Sequence, residues 1–405
     1  MKTGKGKALV GTVGLLLAVL AFALWQRHLN AIPDVSVPTP VLPSPNAFDY
    51  FVSAGNRLRD TKGVDAALSP ASTVSLPAKE ALVRENSPSL ATLQAGFNFP
   101  YQEPPERSAE AQMPFYQKER ELARLLALQS RTKAGRGDWQ GAVSDDLDAV
   151  QLGEEVPHGS PLLGLLVGIA CDSIGQREVW LALGHLSAQQ ARTDARRLDS
   201  IGRRHVSYAT ALQEEKWFGQ AVLLERMRVP HWDDPGPYAL PVSKRTAMAN
   251  FTAYLDAAIA DARRPYGAAS TRPTPPSDML GILVTPVFEQ SRVREVDCET
   301  QNRLLQAALA LRACKLEHGS YPASLASLVP SYLPDVPYDP FAPKGPLRYR
   351  RQGSGYRLYS VGPDGRDNGG QPIQHAPTTH GSNAERSRRY VLADSRGDIV
   401  AGVNF

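Results

Sequence analysis

Apolar residues follow three patterns along the chain, and each pattern predicts a different kind of structure. An uncharged apolar run extends from Ala8 to Trp25. Between about Gln117 and Met227, apolar residues recur at the spacing of helices with one buried face. Near the C-terminus, the segments LRYRR and YRLYSV read as short strands. We therefore predict an α+β protein with an N-terminal transmembrane helix, a mostly α-helical middle domain, and a C-terminal helix packed on a small antiparallel β-sheet.

The apolar run at the N-terminus is just long enough to span a hydrocarbon core of about 30 Å. Lysines precede it, so the positive-inside rule places the N-terminus in the cytoplasm and the bulk of the chain outside it. Ala21-Phe22-Ala23 would also suit signal peptidase, which leaves a cleaved signal peptide as the alternative. Because the apolar run continues to Trp25, we favour an uncleaved anchor over residues 1–27. The expected localisation is single-pass in the cell membrane.

Prolines and glycines divide the rest of the chain. Residues 28–46 form a proline-rich spacer of extended, semi-rigid character. We assign residues 47–277 to a mainly helical domain with proline-rich loops. Asp138 and Ser187 are expected N-caps there, and the helical pair around Asp138 resembles a tetratricopeptide hairpin. Residues 278–405 form the C-terminal module, which opens with a long helix that we expect to be interrupted at Pro286.

The charge distribution argues against a nucleic-acid partner. The net charge is +4, but Lys2, Lys5, Lys7 and Arg27 flank the apolar run. Once these residues are set aside, the remaining basic and acidic residues are equal in number. A nucleic-acid binder needs a basic face that neutralises phosphates. The partners we predict are therefore the membrane, through the N-terminal helix, and a protein on the helical domain.

The three cysteines do not form a disulfide framework. Cys298 and Cys314 fall on one predicted helix, where a rise of 1.5 Å per residue separates them by roughly 24 Å. That distance excludes a bond between them. Cys171 could pair with either, but we predict three buried free thiols.

The C-terminal module carries a combination of motifs: HGSYPASLASLVP at the end of a helix, a turn from Leu333 to Phe341, the hairpin, YSVGPDGRDNGG, and DSRGDIV near the end. Over about residues 298–403 the chain resembles the globular domain of type II secretion major pseudopilins. The complete layout also resembles uncharacterised membrane-anchored envelope proteins of planctomycete-like bacteria. No Phe-x-x-x-Glu follows the early glycines, so we do not expect processing or polymerisation as a pilin.

The pseudopilin resemblance implies a calcium ion in the loop after the hairpin. The matching positions are Asp364 and Asp367, with Asp394 and Asp398 as further contributors. Calcium takes 6 to 8 oxygen ligands, so clustered aspartates among glycines suit it. The same sequences are also ordinary turns, which need only a positive φ at glycine. Both interpretations stay open, and calcium is the sole cofactor that we consider.

No catalytic constellation converges in the sequence: GxSxG, HExxH and P-loop motifs are absent. His205 could be paired with Glu214 or Glu215 as a base and its orienting group, although the spacing places them on different turns. Asp145, Asp146 and Asp148 read as a solvated helix face. The sequence His231-Trp232-Asp233-Asp234, in a proline-rich loop, is a further candidate ligand site.

We therefore predict a non-enzymatic envelope protein that acts as an interaction or scaffold component, with a pseudopilin-like module and a link to secretion. The alternative is a hydrolase of unrecognised type in the helical domain. A deep pocket that joins His205 to a carboxylate of shifted pKa would favour the hydrolase. An apolar groove would favour the interaction protein.

Overall fold

The computed structural model describes residues 3–29, 31–228, 243–268, 279–373 and 391–403, with side chains from residue 14 in the first range and from residue 290 in the fourth. The helices and strands in chain order are α1 Thr3–Leu29, α2 Ala47–Asn56, α3 Thr61–Leu68, α4 Leu76–Glu85, α5 Ser87–Gly96, α6 Phe115–Gly135, α7 Trp139–Glu155, α8 Leu162–Ala182, α9 Ala188–Gly202, α10 Tyr208–Met227, α11 Lys244–Ala262, α12 Met279–His318, β1 Arg348–Gln352, β2 Gly355–Ser360 and β3 Ile399–Val400.

In the middle of the chain, helices begin at the predicted capping residues. Asp138 accepts a hydrogen bond from the Gly141 N–H at the start of α7, as predicted. Ser187 opens α9 with a complete capping box: its hydroxyl accepts from the Gln190 N–H, and the Gln190 side chain accepts from the Ser187 N–H. These caps satisfy N–H groups that have no partner inside their own helix.

The main core forms where α12 packs against α8 and α9 and against the sheet, and side chains of α7 belong to the same buried cluster. Its fully buried side chains include Leu147 on α7, Leu198 on α9 and Leu305 on α12. A second core joins α2, α3 and α5 to α6 around Phe51 and Leu125. Burial of these faces supplies most of the driving force for folding, since each large apolar side chain contributes about 1.5–3 kcal/mol.

The sheet has the order β1-β2-β3 and is antiparallel throughout. Gln352 pairs with Gly355 across a tight turn, and Gly353 there has a φ of 54°. Glycine adopts this left-handed conformation without steric cost. The α+β class and the predicted hairpin are therefore confirmed, and DSRGDIV supplies the third strand.

Asp339 fastens the segment before β1 to the end of β2. This carboxylate is only 1% exposed. It accepts hydrogen bonds from the Ser360 hydroxyl at 2.6 Å and from the Val361 N–H at 3.0 Å. The Phe341 N–H also donates to it, at 3.1 Å. Three donors converge on one buried carboxylate, so the turn that we predicted between Leu333 and Phe341 is tied to the sheet.

The predicted N-terminal transmembrane helix and the single-pass membrane localisation are wrong. Residues Thr3–Leu29 do form one helix. Yet none of the helices within the described ranges combines the length and the apolar character that a membrane crossing requires. Gln26, Arg27 and His28 end the apolar stretch.

The predicted solvated face of α7 is also wrong. Asp145 and Asp146 are 2% and 0% exposed. Lys133 donates to Asp145 at 2.7 Å, and Arg197 pairs with Asp148. Cations from α6 and α9 therefore cover aspartates that the local sequence presents as a polar face.

The long C-terminal helix shows a further difference. We expected a break at Pro286, but α12 is one helix of 40 residues. The boundary that we predicted between residues 277 and 278 lies outside the described residues, so it stays a prediction.

The cysteines behave as predicted. Cys171, Cys298 and Cys314 are all free and buried.

Replacing Asp339 with alanine should lower the free energy of unfolding by about 3 kcal/mol, because buried N–H and hydroxyl donors would lose their acceptor. Chemical denaturation followed by circular dichroism measures the change. Asp335→Ala is the matched control, since that side chain is exposed in the same segment. Equal stability of the two variants would show that Asp339 does not fasten the sheet.

Candidate functional site

A connected set of buried polar side chains surrounds His205, in the turn between α9 and α10. Its Nδ1 lies 3.1 Å from Oε2 of Glu154 on α7. Its Nε2 lies 2.8 Å from Oε1 of Glu295 on α12. The two glutamates are 5% and 7% exposed, and the imidazole keeps 20% of its exposure. One ring thus connects two buried carboxylates from helices that are distant in sequence.

The hydrogen bonds continue from Glu154 into the core. Asn302 donates its Nδ2 to Glu154 at 3.2 Å and to Asp172 at 2.8 Å. The Cys298 thiol donates to the same carboxylate of Asp172 at 3.2 Å. This network, from His205 through Glu154 and Asn302 to Asp172, joins α7, α8 and α12.

Burial and neighbouring charge act in opposite directions on the pKa of His205 and in the same direction on the pKa of Asp172. Burial alone would lower the pKa of His205, but its hydrogen bonds to Glu154 and Glu295 outweigh burial and hold that pKa well above the usual value. Burial, reinforced by repulsion from Glu154, raises the pKa of Asp172 well above its usual value. Glu154 therefore raises the pKa of both its neighbours, His205 on one side and Asp172 on the other.

A cavity of about 450 Å³ opens beside this network. Glu295 and Glu299 of α12 line one side, and the segment from Tyr338 to Gly345 lines the other. A second cavity, of about 550 Å³, begins where the first ends, since Tyr338 and Gly345 line both. Its other walls are mostly apolar and include Leu325, Val336 and Leu347. We call the two cavities together the groove.

Tyr338 stands at the junction of the groove and is held in place. The ring is 47% exposed. Its hydroxyl donates to Glu299, and the Arg303 guanidinium lies over its face at 4.6 Å from the centroid. A cation over an aromatic face stabilises the arrangement by about 0.5–1 kcal/mol at an exposed site. The ring therefore offers a fixed, partly apolar surface.

The first cavity has an excess of positive charge at its rim. Arg263, Arg264 and Lys344 line it and are exposed. Within the described ranges their side chains make no hydrogen bond or ion pair. Glu299, by contrast, is already bound to Arg303 at 3.4 Å. This end of the groove suits a negatively charged group.

Of the four predicted calcium ligands, Asp364 and Asp367 lie in the loop after β2, and Asp398 lies beside that loop, directly before β3. Asp364 accepts the Gly397 N–H at 3.3 Å, Asp367 accepts the Gly369 N–H at 2.9 Å, and Asp398 accepts the Gly370 N–H at 2.6 Å. Asp394 is exposed. These carboxylates fasten the turns to the end of the sheet. Calcium binding there stays a prediction.

His205 was singled out in the sequence, and the two glutamates considered there as its partners bond to other residues. Glu214 pairs with Arg107 at 3.0 Å, and Glu215 accepts the Leu162 N–H at 3.0 Å. Sequence reasoning missed Glu154, Glu295 and Glu299. The spacing of Glu295 and Glu299 by one helical turn was the available signal. The candidate His231-Trp232-Asp233-Asp234 lies outside the described residues.

No protein-family model matches the chain, and no curated protein or solved structure shows significant similarity to it.

A separate buried carboxyl makes stability depend on pH. Burial raises the pKa of Glu103 to about 8. The Tyr116 hydroxyl donates to this carboxylate at 2.8 Å and by itself would lower that pKa. The folded protein thus keeps a proton that the unfolded chain releases above its ordinary carboxyl pKa. Stability from this group is complete at low pH and is lost as the pH rises through about 8.

We expect the free energy of unfolding to fall between about pH 5 and pH 8, by up to about 1.4 kcal/mol per pH unit from this carboxyl. Glu103→Gln should flatten that fall, because an amide does not titrate. Denaturant titrations at several pH values measure it. Glu110→Gln, at an exposed position of the same connection, is the control. An unchanged slope in Glu103→Gln would contradict the prediction.

If the loop after β2 binds calcium, the midpoint of thermal unfolding of the full chain should rise with calcium and return with chelator. A concentration of 100 times Kd stabilises by about 2.7 kcal/mol. The shift should disappear in the double variant Asp364→Ala, Asp367→Ala. A calcium-independent midpoint in the unmodified chain would mean that the loop is only a pair of turns.

Proposed function

We propose that this protein is a non-enzymatic interaction protein, which holds an extended segment of a partner protein in the groove on either side of Tyr338. The main support for the proposal is that two cavities meet at Tyr338, one with cations at its rim and the other lined mostly by apolar residues. Extended peptides bind such grooves through pockets for individual side chains, which supply specificity.

The cations at the rim of the first cavity indicate that the partner carries an acidic residue. Arg263, Arg264 and Lys344 are available at its rim, while Glu295 and Glu299 on its wall are bound to His205 and Arg303. A carboxylate of the partner would therefore meet cations that are not already neutralised. Complementary charge at a rim increases the association rate and excludes partners of the wrong charge.

The apolar lining of the second cavity indicates that the partner carries an apolar side chain. Leu325 and Leu347 are almost fully buried at its base, and Ala323 and Ala326 leave room above them. Transfer of a large apolar side chain from water into such a pocket contributes about 1.5–3 kcal/mol. The expected motif is an acidic residue followed, within a few positions, by a large apolar one or the same in reverse order.

The alternative of a hydrolase has less support. It is favoured by Glu295, which lines the cavity and bonds to His205. A general base, however, needs a ring nitrogen within hydrogen-bond reach of the reacting group. Both nitrogens of His205 are bound to carboxylates, which leaves neither directed at a substrate.

The class of partner follows from the resemblance of the C-terminal segment to pseudopilins. Both walls of the second cavity belong to that segment. We therefore propose that the partner is a component of a secretion or pilus-like apparatus.

A random peptide library displayed on phage tests the proposal through the chemistry of the groove itself. Peptides that combine acidic and apolar residues should be enriched on the full-length protein. Fluorescence anisotropy with the enriched peptides should show at least tenfold weaker binding to Arg264→Glu, which reverses charge at the rim, and to Ala326→Trp, which fills the apolar cavity. Lys62→Glu, an exposed change on α3, is the matched control.

Enrichment without this composition would contradict the proposed groove. So would peptides that bind Arg264→Glu, Ala326→Trp and the control equally well.

A further inference from the structure

The wall of the first cavity brings together three side chains whose atoms could coordinate a metal ion. A ring nitrogen of His205 and one carboxylate oxygen each of Glu295 and Glu299 all lie within 4.8 Å of one another. Glu295 and Glu299 are one turn apart on α12, so the helix presents them on the same face. An ion bound to all three atoms would lie about 2.0–2.2 Å from each of them, so the side chains would move closer together on binding.

His205 has the second partner that a metal-ligating histidine usually has. Its Nδ1 faces Glu154 at 3.1 Å, which directs Nε2 towards Glu295. A carboxylate on the far ring nitrogen orients the ring and increases its basicity as a ligand. Asn302 in turn fixes Glu154 by a hydrogen bond of 3.2 Å. The ring orientation is therefore determined by residues outside the three ligands.

The three ligands would leave a coordination position open. Glu295 and Glu299 border the cavity of about 450 Å³, which has room for water or for an oxygen group of a bound molecule. Three protein ligands with one open position are typical of exchangeable, catalytic-type zinc sites, whereas structural zinc sites have four protein ligands.

We propose that His205, Glu295 and Glu299 form a binding site for a divalent transition-metal ion of the zinc class. Imidazole and carboxylate together suit zinc, cobalt, iron or manganese, while calcium and magnesium take oxygen ligands alone. On binding, the ion replaces the proton on Nε2 and the hydrogen bond between His205 and Glu295, and the proton is released to solvent. The bond between Nδ1 and Glu154 stays in place. This inference goes beyond partner binding, since the groove could hold a peptide without an ion.

The test uses the full chain, stripped of metal with a chelator and then titrated with zinc chloride against a chromogenic zinc indicator. We expect one high-affinity zinc ion per chain in the unmodified protein. Glu299→Gln removes a ligand at a partly exposed position and should weaken binding by about 100-fold or more. Glu154→Gln changes only the group behind the histidine and should weaken it by about 10–100-fold.

Cobalt chloride supplies a readout that a purely structural role would not change. Cobalt at a site of low coordination number gives visible absorption bands, which should be present in the unmodified protein and altered in Glu299→Gln. Glu317→Gln, a carboxylate near the end of the same helix and outside the cluster, is the control and should bind both ions like the unmodified protein. Circular dichroism of each variant checks that it is folded.

The absence of stoichiometric zinc binding would overturn the proposal. Equal affinity of Glu299→Gln and the unmodified protein would do so as well, because it would place any bound zinc elsewhere.

Discussion

The structure depends on the neutralisation of buried carboxylates where α12 meets the helices that precede it in the chain. His205 lies between Glu154 and Glu295, which come from α7 and α12. A carboxylate left in this interface without its cation would cost about 3–5 kcal/mol. Both α7 and α12 must therefore lie within hydrogen-bond distance of the His205 ring, which belongs to the turn between α9 and α10. This requirement fixes the rotation of α12 about its axis, in addition to the burial of its apolar face.

The same constraint positions the groove. Glu299 follows Glu295 by one turn, and its contact with the Tyr338 hydroxyl joins α12 to the segment before the sheet. The next residue, Asp339, is bound to Ser360 and Val361 at the end of β2. Two consecutive residues thus connect the helix on one side to the sheet on the other. The side of the groove formed by α12, Tyr338 at the junction, and the segment before β1 therefore form one connected unit.

The sequence was informative wherever a structure is determined by neighbouring residues. Asp138 and Ser187 were recognised as caps, and Gly353 as the hairpin turn, because their partners lie within a few positions. The site was harder to predict from the sequence, since the partners of His205 are 51 and 90 residues away along the chain. Asp145 illustrates the same limit, because only the fold brings Lys133 over a face that reads as solvated. Apolar composition alone likewise led to the incorrect transmembrane helix.

The buried thiols give the molecule internal reporters of its own opening. Cys298 lies in the interface between α12 and α8, where its thiol is bound to Asp172, and Cys171 lies inside α8. Burial raises the pKa of both thiols well above the usual value, so little reactive thiolate is present in the closed state. Alkylation of Cys298 then proceeds only through states in which the interface has separated. The labelling rate of Cys298 therefore reports the free energy of separating α12 from α8, independently of global unfolding. Cys171 packs in the second core with α6, so its labelling rate reports the opening of that core.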